Sequence, residues 1–214
     1  MELLKKFLEY ELNIDREEVY NGFLQYNNLI LEWNKSINVI SRKNDSIENI
    51  VLNSIFFLKD FIFPESFKLI DIGTGGGFPG IPMILIYPDI NLTLCDSIKK
   101  KLKVVADICE KMNLKNTEPL WYRAEILAEN PEYRKKYDYV ISKSVAPLAD
   151  LYDWSKYLIR AGGSILCIKG GDISVEINSL KEMHKEVIFD VKDYYFDSKY
   201  KIEDKKLVII RREK

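Results

Sequence analysis

The stretch KLIDIGTGGGFPGIPMILIYPDINLTLCDS, residues 68–97, decides how this chain folds. Leu69 to Ile72 make a short apolar run, and five glycines follow within the eight residues 73–80. An apolar run cut off by glycines is the mark of a strand buried in a parallel sheet. The next segment, FPGIPMILIYP, reads as a helix with prolines in its first turn, where a missing N–H costs least. INLTLCDS then gives a second strand. Strand, tight loop, helix and strand in about thirty residues make one βαβ unit.

The alternation continues downstream. KKKLKVVADICEKMNL is an amphipathic helix with lysines on its wet face, TEPLWYRAEIL a weaker third strand running into a turn, and YDYVISKSV a fourth strand. LADLYDWSKYLIR reads as a helix stopped by Ala161-Gly162-Gly163, a C-cap signal, before SILCIKGG gives a fifth strand. DISVEINSLKEMH is a further helix. VIFDVKDYYF and KKLVIIRR close the chain as two strands. Their polar link, Asp197 to Asp204, is too short for a parallel crossover, so the pair is expected to be antiparallel. The expectation is an α/β fold with a seven-stranded, mostly parallel, doubly wound sheet and one reversed strand at its C-terminal end.

Upstream the period changes. MELLKKFLEYEL, EEVYNGFLQYNNLILEWNK and SIENIVLNSIFFLKDF carry apolar residues at helical spacing, and Ser46 is placed to cap the third. The expected division is an N-terminal helical extension, residues 1–64, and a sheet domain, residues 65–214.

Bulk properties narrow the function. Apolar residues at 47% and charged residues at 30% are ordinary for a globular chain long enough, at 214 residues, to bury a real core. A net charge of −1 excludes a uniformly basic surface, so any nucleic acid must meet a local patch. Three candidates stand out: Lys35 with Arg42 and Lys43, the lysines Lys99, Lys100, Lys101 and Lys103, and the C-terminal KKLVIIRREK. Each reads equally as a solvated face. Three scattered cysteines and a single histidine give no zinc spacing, so no metal is expected, and the thiols read as free in a reducing compartment. No apolar run approaches the ~18 residues of a membrane span, and the first residues lack a signal-peptide pattern. A cytoplasmic protein is expected, with a monomer favoured.

The loop satisfies G-x-G-x-x-G at Gly75, Gly77 and Gly80, and a tighter pattern at Gly73, Gly75 and Gly77. A bare match is weak, but placement between strand and helix strengthens it. A pyrophosphate needs free N–H groups at the helix start, and Pro79 and Pro82 remove two. A zwitterion such as the methionine end of S-adenosylmethionine suits this entry better. Asp96, ending the second strand, is placed to accept two ribose hydroxyls, or else to cap the next helix. Asp71 either binds the cofactor's amino group or holds the loop through backbone N–H groups.

The run LIDIGTGGGFPGIPMILIYPDINLTLCDSIKKKLKVV resembles the bacterial 16S rRNA guanine-N7 methyltransferases of the RsmG/GidB family, most specifically in Gly-Phe-Pro-Gly-Ile-Pro. LEWNKSIN, YRAEIL, DYVISKSVAPL and GGSILCIKG are similar to further family segments, in the same order, so the resemblance spans nearly the whole chain. It implies a class I S-adenosylmethionine-dependent (Rossmann-like) methyltransferase fold. It also implies N7-methylation of a guanosine in 16S rRNA near the decoding region, with the rRNA or small subunit as partner. Carried over, Gly73, Gly75 and Gly77 face the methionine end, Phe78 packs beside it, Asp96 takes the ribose, and the backbone around Ala124 and Glu125 meets the adenine. Arg123 and Lys143 fall on the substrate side.

N7 of guanine carries a lone pair at neutral pH and needs no general base. The residues sought are therefore donors that steady charge at O6, and Lys143, Arg123 and the Asn38 amide are the candidates. Phe78 and Trp33 are candidates to stack on a flipped base, although Trp33 also sits at core spacing from Leu29 and Ile30. The chain departs from the family on this side. Lys143-Ser144 replaces Arg-Ala, Ile50 and Asn53 replace a His and an Asp, and Asn38-Val39-Ile40 replaces Asn-Leu-Thr. Methyl transfer to another RNA, a small molecule or a protein, and cofactor binding without turnover, therefore stay open beside the leading reading. A dinucleotide dehydrogenase is disfavoured by the prolines and the terminal strand pair.

Overall fold

The computed structural model describes residues 1–40 and 46–212. Arg42 and Lys43, two of the proposed basic cluster, lie outside the described residues.

Three helices lead: α1 (Glu2–Glu11), α2 (Glu17–Asn34) and α3 (Ile47–Ile55), the last running into a single 3-10 turn at Phe56–Lys59. Ser46 caps α3 by accepting the Asn49 N–H at 3.1 Å. The alternating part follows as β1 (Lys68–Ile72), α4 (Gly80–Ile86), β2 (Asn91–Asp96), α5 (Lys99–Lys111), β3 (Thr117–Trp121), α6 (Ala124–Leu127), β4 (Tyr137–Lys143), α7 (Leu148–Ser155), β5 (Ile159–Gly170), α8 (Ser174–Met183), β6 (Val187–Tyr194) and β7 (Lys205–Arg212).

These strands form one seven-stranded sheet in the order β3-β2-β1-β4-β5-β7-β6. The first five run parallel, and β7 is antiparallel to both β5 and β6. The reversed strand thus slots between β5 and β6, a pairing that the short link before it dictates.

Side chains alternate across the sheet with the two-residue period of a strand. Leu69, Leu94, Ile141, Leu166 and Ile209 bury one face against α1 to α5. Ile70, Ile72, Val140, Ile165 and Ile210 bury the other against α6 to α8. The N-terminal helices therefore share a core with the sheet. An aromatic cluster joins them: Phe63 stacks on Phe67 at 4.6 Å and meets Phe57 and Tyr139 edge-on. Such pairs contribute roughly 0.5–1.5 kcal/mol each beyond the area they bury.

One expectation is corrected. Ala161-Gly162-Gly163 does not end a helix, because α7 stops at Ser155 and the three residues lie inside β5. There the register against β4 slips between Tyr137 and Tyr139, so the glycines form a bulge. Gly162 takes φ +79°, and a Cβ on Gly163 would stand 2.7 Å from the Asp138 carbonyl oxygen. Close passage of two strands, not helix termination, selects glycine here.

Candidate active site

The parallel register brings the C-terminal ends of β1, β2 and β4 to one edge of the sheet. The chain leaves β1 toward β2 and β3 on one side, then crosses back from β3 to β4 on the other side of β1, which makes this edge a switch point where open α/β sheets bind ligands. A cavity of about 580 Å³ opens at this edge.

The glycine loop forms its floor. Gly73, Gly75 and Gly77 have φ of +70°, +58° and +99°. The N–H groups of Gly73 and Thr74 go to the Cys95 carbonyl, Gly77 and Phe78 donate to the Thr74 carbonyl, and Gly75 donates to Asp96. At the start of α4, Gly80 donates to Asp71, Ile81 to Gly77 and Met83 to Pro79, while Pro82 has no N–H. The loop and helix start are thus largely committed within the chain, which leaves little to grip a pyrophosphate.

Asp71 lies fully buried beneath this loop and outside the cavity lining. Its Oδ2 accepts the Thr74 hydroxyl at 2.7 Å and the Gly80 N–H at 2.9 Å. Of the two sequence-based alternatives, the geometry matches the loop-holding one. Burial pushes its carboxyl up to about 6, against the opposing pull of those two hydrogen bonds and of the Lys143 charge. Among the described residues its Oδ1 is buried without a hydrogen-bond partner.

Gly73, Gly75, Phe78, Asp96, Ala124, Glu125 and Lys143 all line the cavity. Three other expected residues do not. Gly77 turns toward Ile81 and Tyr26, Arg123 is exposed before α6, and Asn38 is exposed beside Val39. In each case a neighbour lines the cavity instead: Gly76, Ala124 and Val39. The Arg123 and Asn38 side chains are therefore not assembled with Lys143.

Val39 and Ile40 reach the cavity because Asn34 Oδ1 accepts both their N–H groups, at 2.9 and 3.1 Å. Trp33 next to it is no stacking platform. Its Nε1 donates to Asp107 Oδ2 at 2.7 Å, fastening α2 to α5. Phe78 is buried against Tyr26, whose hydroxyl donates to the Gly76 carbonyl at 2.7 Å.

The far wall follows β4. Ser144 takes φ +56°, and Val145 packs so closely that a Cβ on Gly73 would stand 2.5 Å from it. Lys169 and Glu176 hold this segment. Lys169 Nζ donates to the Ala146 carbonyl and to Glu176 Oε2, both at 2.6 Å, and that oxygen also accepts the Leu148 N–H. Tyr122, Trp154 and Lys101 also line the cavity and were missed in the sequence. Trp154 sits in an amphipathic helix and reads there as core. Lys101 was noticed only as one of a charged run.

No group of three or more His, Cys, Asp or Glu side chains is placed to hold a metal among the described residues. The three cysteines are free and buried. No helix is long and apolar enough to cross a membrane among the described residues.

The PH0226 protein from Pyrococcus horikoshii shares this architecture, with a TM-score of 0.62 at 11% identity over 85% of this chain and 99% of its own. Sheet order and reversed strand are those of the class I methyltransferase fold. The family described as rRNA small subunit methyltransferase G (GidB) matches residues 19–205, and the chain belongs to it. A ribosomal RNA small subunit methyltransferase G from Phocaeicola vulgatus is 35% identical over 98% of both chains. One from Clostridium novyi is 37% identical over 79% of this chain and 72% of its own. The reaction class is methyl transfer from S-adenosylmethionine to ribosomal RNA.

Proposed function

We propose that this chain methylates N7 of a guanosine in 16S rRNA near the decoding region, with Lys143 facing the target base. The observation that carries the reading is the polarity of one cavity: Asp96 stands at its β2 end and Lys143 at its β4 end, with the glycine floor between. That layout suits a ribose and a sulfonium on one side and a purine on the other.

A Cβ on Gly75 would meet nothing closer than 3.9 Å, so the space above it is open to a ligand. We assign the ribose hydroxyls to Asp96, the adenine to the segment Tyr122–Glu125, and the methionine end to Gly73 and Gly75. Bound there, S-adenosylmethionine supplies an electrophilic methyl group for in-line displacement by the N7 lone pair, with the C–S electrons going to sulfur and no proton moved. The chain's own work is alignment. Lys143 is held at the end of β4 and donates toward O6, which fixes the orientation of the purine so that N7 faces the methyl group. N7 lies in the deep groove of an RNA helix, so the base enters unpaired.

The test is incubation with labelled S-adenosylmethionine and unmodified 16S rRNA or small subunits, followed by mass mapping of ribonuclease fragments. Label in a fragment carrying 7-methylguanosine is expected. Cofactor binding without transfer to RNA defeats the proposal.

A further inference from the structure

We infer that a second hollow beside the cavity binds the phosphodiester backbone of the RNA strand adjoining the target nucleotide, an inference that rests on the RNA reading above. The hollow encloses about 330 Å³. Asn49 and Asn53 of α3 form one wall, and Lys201, Glu203 and Lys205 form the other. Ile50 and Lys143 line both the hollow and the cavity, so the two abut at these side chains.

Its charge is opposite to that of the chain. Three ammonium groups face one carboxylate here, in a protein of net charge −1. Neighbouring lysines are neutralised: Lys199 in the link pairs with Asp197, and Lys206 in β7 with Asp193 and Asp204. Lys201 and Lys205 have no such carboxylate among the described residues. Their positive charge therefore remains available to an anion from outside.

The wall is also built. Asn53 Nδ2 donates to the Asn49 carbonyl at 2.8 Å and to the Lys201 carbonyl at 3.3 Å, tying α3 to the link across 148 positions of sequence. Lys201 is held there in the left-handed region at φ 53°. Lys205 Nζ lies 3.2 Å from where a Cβ on Gly170 would stand, so that glycine leaves room for the ammonium over the end of β5. Ammonium groups gathered on a braced wall beside a base-sized cavity match a phosphate backbone. When the base turns into the cavity past Lys143, the adjoining phosphates come to lie on this side.

The experiment uses the full chain carrying Lys201→Asn and Lys205→Gln, asparagine being chosen because it tolerates a positive φ. Binding to an unmodified 16S rRNA transcript is measured across a potassium chloride series, with cofactor affinity by calorimetry and methyl transfer in parallel. The expected result is RNA affinity lowered about tenfold and a salt slope reduced by about 1.4, roughly 0.7 for each single-strand phosphate that a lysine no longer neutralises. Cofactor affinity stays within twofold, and Lys205→Arg alone retains RNA affinity. Unaltered affinity and slope in the double variant, with transfer intact, overturn the groove and leave the functional reading standing. A lysine-dependent slope in a wild-type protein that transfers no methyl group overturns the functional reading and leaves the groove.

Discussion

Asp96 and Gly75 are joined by one hydrogen bond: the carboxylate Oδ2 accepts the Gly75 N–H at 2.9 Å, while Oδ1 accepts the Ile98 N–H at 2.8 Å. The side chain proposed to hold the ribose thus also fastens the glycine loop to the turn after β2. Both roles fit one carboxylate, since each oxygen has two acceptor directions.

Asp96→Ala is therefore expected to act on the empty protein as well as on binding. Hydrogen bonds to a charged group contribute about 1.5–3 kcal/mol, so the variant unfolds with a stability loss of that order even without cofactor. Cofactor affinity falls further, by about ten- to a hundredfold. Urea unfolding and calorimetry separate the two effects. An unchanged dissociation constant removes the ribose assignment, whatever happens to stability.

The glycines separate by what surrounds them. Gly73→Ala sets a Cβ 2.5 Å from Val145 in a left-handed backbone, and Gly80→Ala sets one 2.3 Å from Leu94 and 2.9 Å from Asp71 Oδ2. Both are expected to destabilise the fold by several kcal/mol through overpacking. Gly75→Ala meets only open space, so its stability cost is the left-handed strain of about 1–2 kcal/mol. Its Cβ points into the volume assigned to the cofactor. A variant that folds yet binds S-adenosylmethionine more than tenfold more weakly is the expected result. Retained affinity in folded Gly75→Ala places the ligand elsewhere.

Legibility in the sequence followed the same physics. The succession of strands and helices and the antiparallel pairing of the last two strands follow from apolar runs and loop lengths, which are local quantities. The glycine pattern gave the floor of the cavity, because positive φ and close approach leave a mark in residue type. The bulge at Gly162-Gly163 left the same mark as a helix stop, since both need glycine. Asn34 illustrates what was hidden: its work is to accept the Val39 and Ile40 N–H groups, and nothing in Trp-Asn-Lys says which neighbours it will hold. Arg123 and Asn38 were chosen from the resemblance and from their donor chemistry, neither of which fixes where a side chain points, and both are exposed.

Asp71 gives a prediction in pH. Its carboxyl rises from an ordinary 3.8 to about 6 in the folded protein, so the native state holds the proton more tightly than the unfolded chain. Its contribution is fully present below about pH 4 and is lost as pH rises through about 6. The loss amounts to about 3 kcal/mol, since each tenfold difference in proton affinity between the two states is worth about 1.36 kcal/mol. Asp71→Asn removes the titration. The amide nitrogen in place of Oδ1 adds a cost that does not vary with pH, so only the trend is diagnostic. Unfolding free energies of wild type and variant, measured from pH 4 to 7.5, should differ by an amount that changes across this window. A constant difference rejects the assigned titration.

Lys143 stands where the cavity and the lysine-lined groove meet. Lys143→Ala removes the proposed O6 donor, and single-turnover methyl transfer is expected to slow by at least tenfold, the cost of about 1.4 kcal/mol of transition-state stabilisation. Lys143→Arg keeps the charge and adds a planar fork, so transfer should persist at or above the wild-type rate. The loss of charge has a second readout. Lys143 is one of the groups holding the Asp71 carboxyl down, so in Lys143→Ala the Asp71 transition moves to higher pH. Following that carboxyl by NMR separates a misplaced side chain from a missing donor. A slowed reaction with an upward Asp71 shift assigns the defect to the absent ammonium. Normal transfer by Lys143→Ala returns the search for the O6 donor to the other cavity walls, Ser144 foremost.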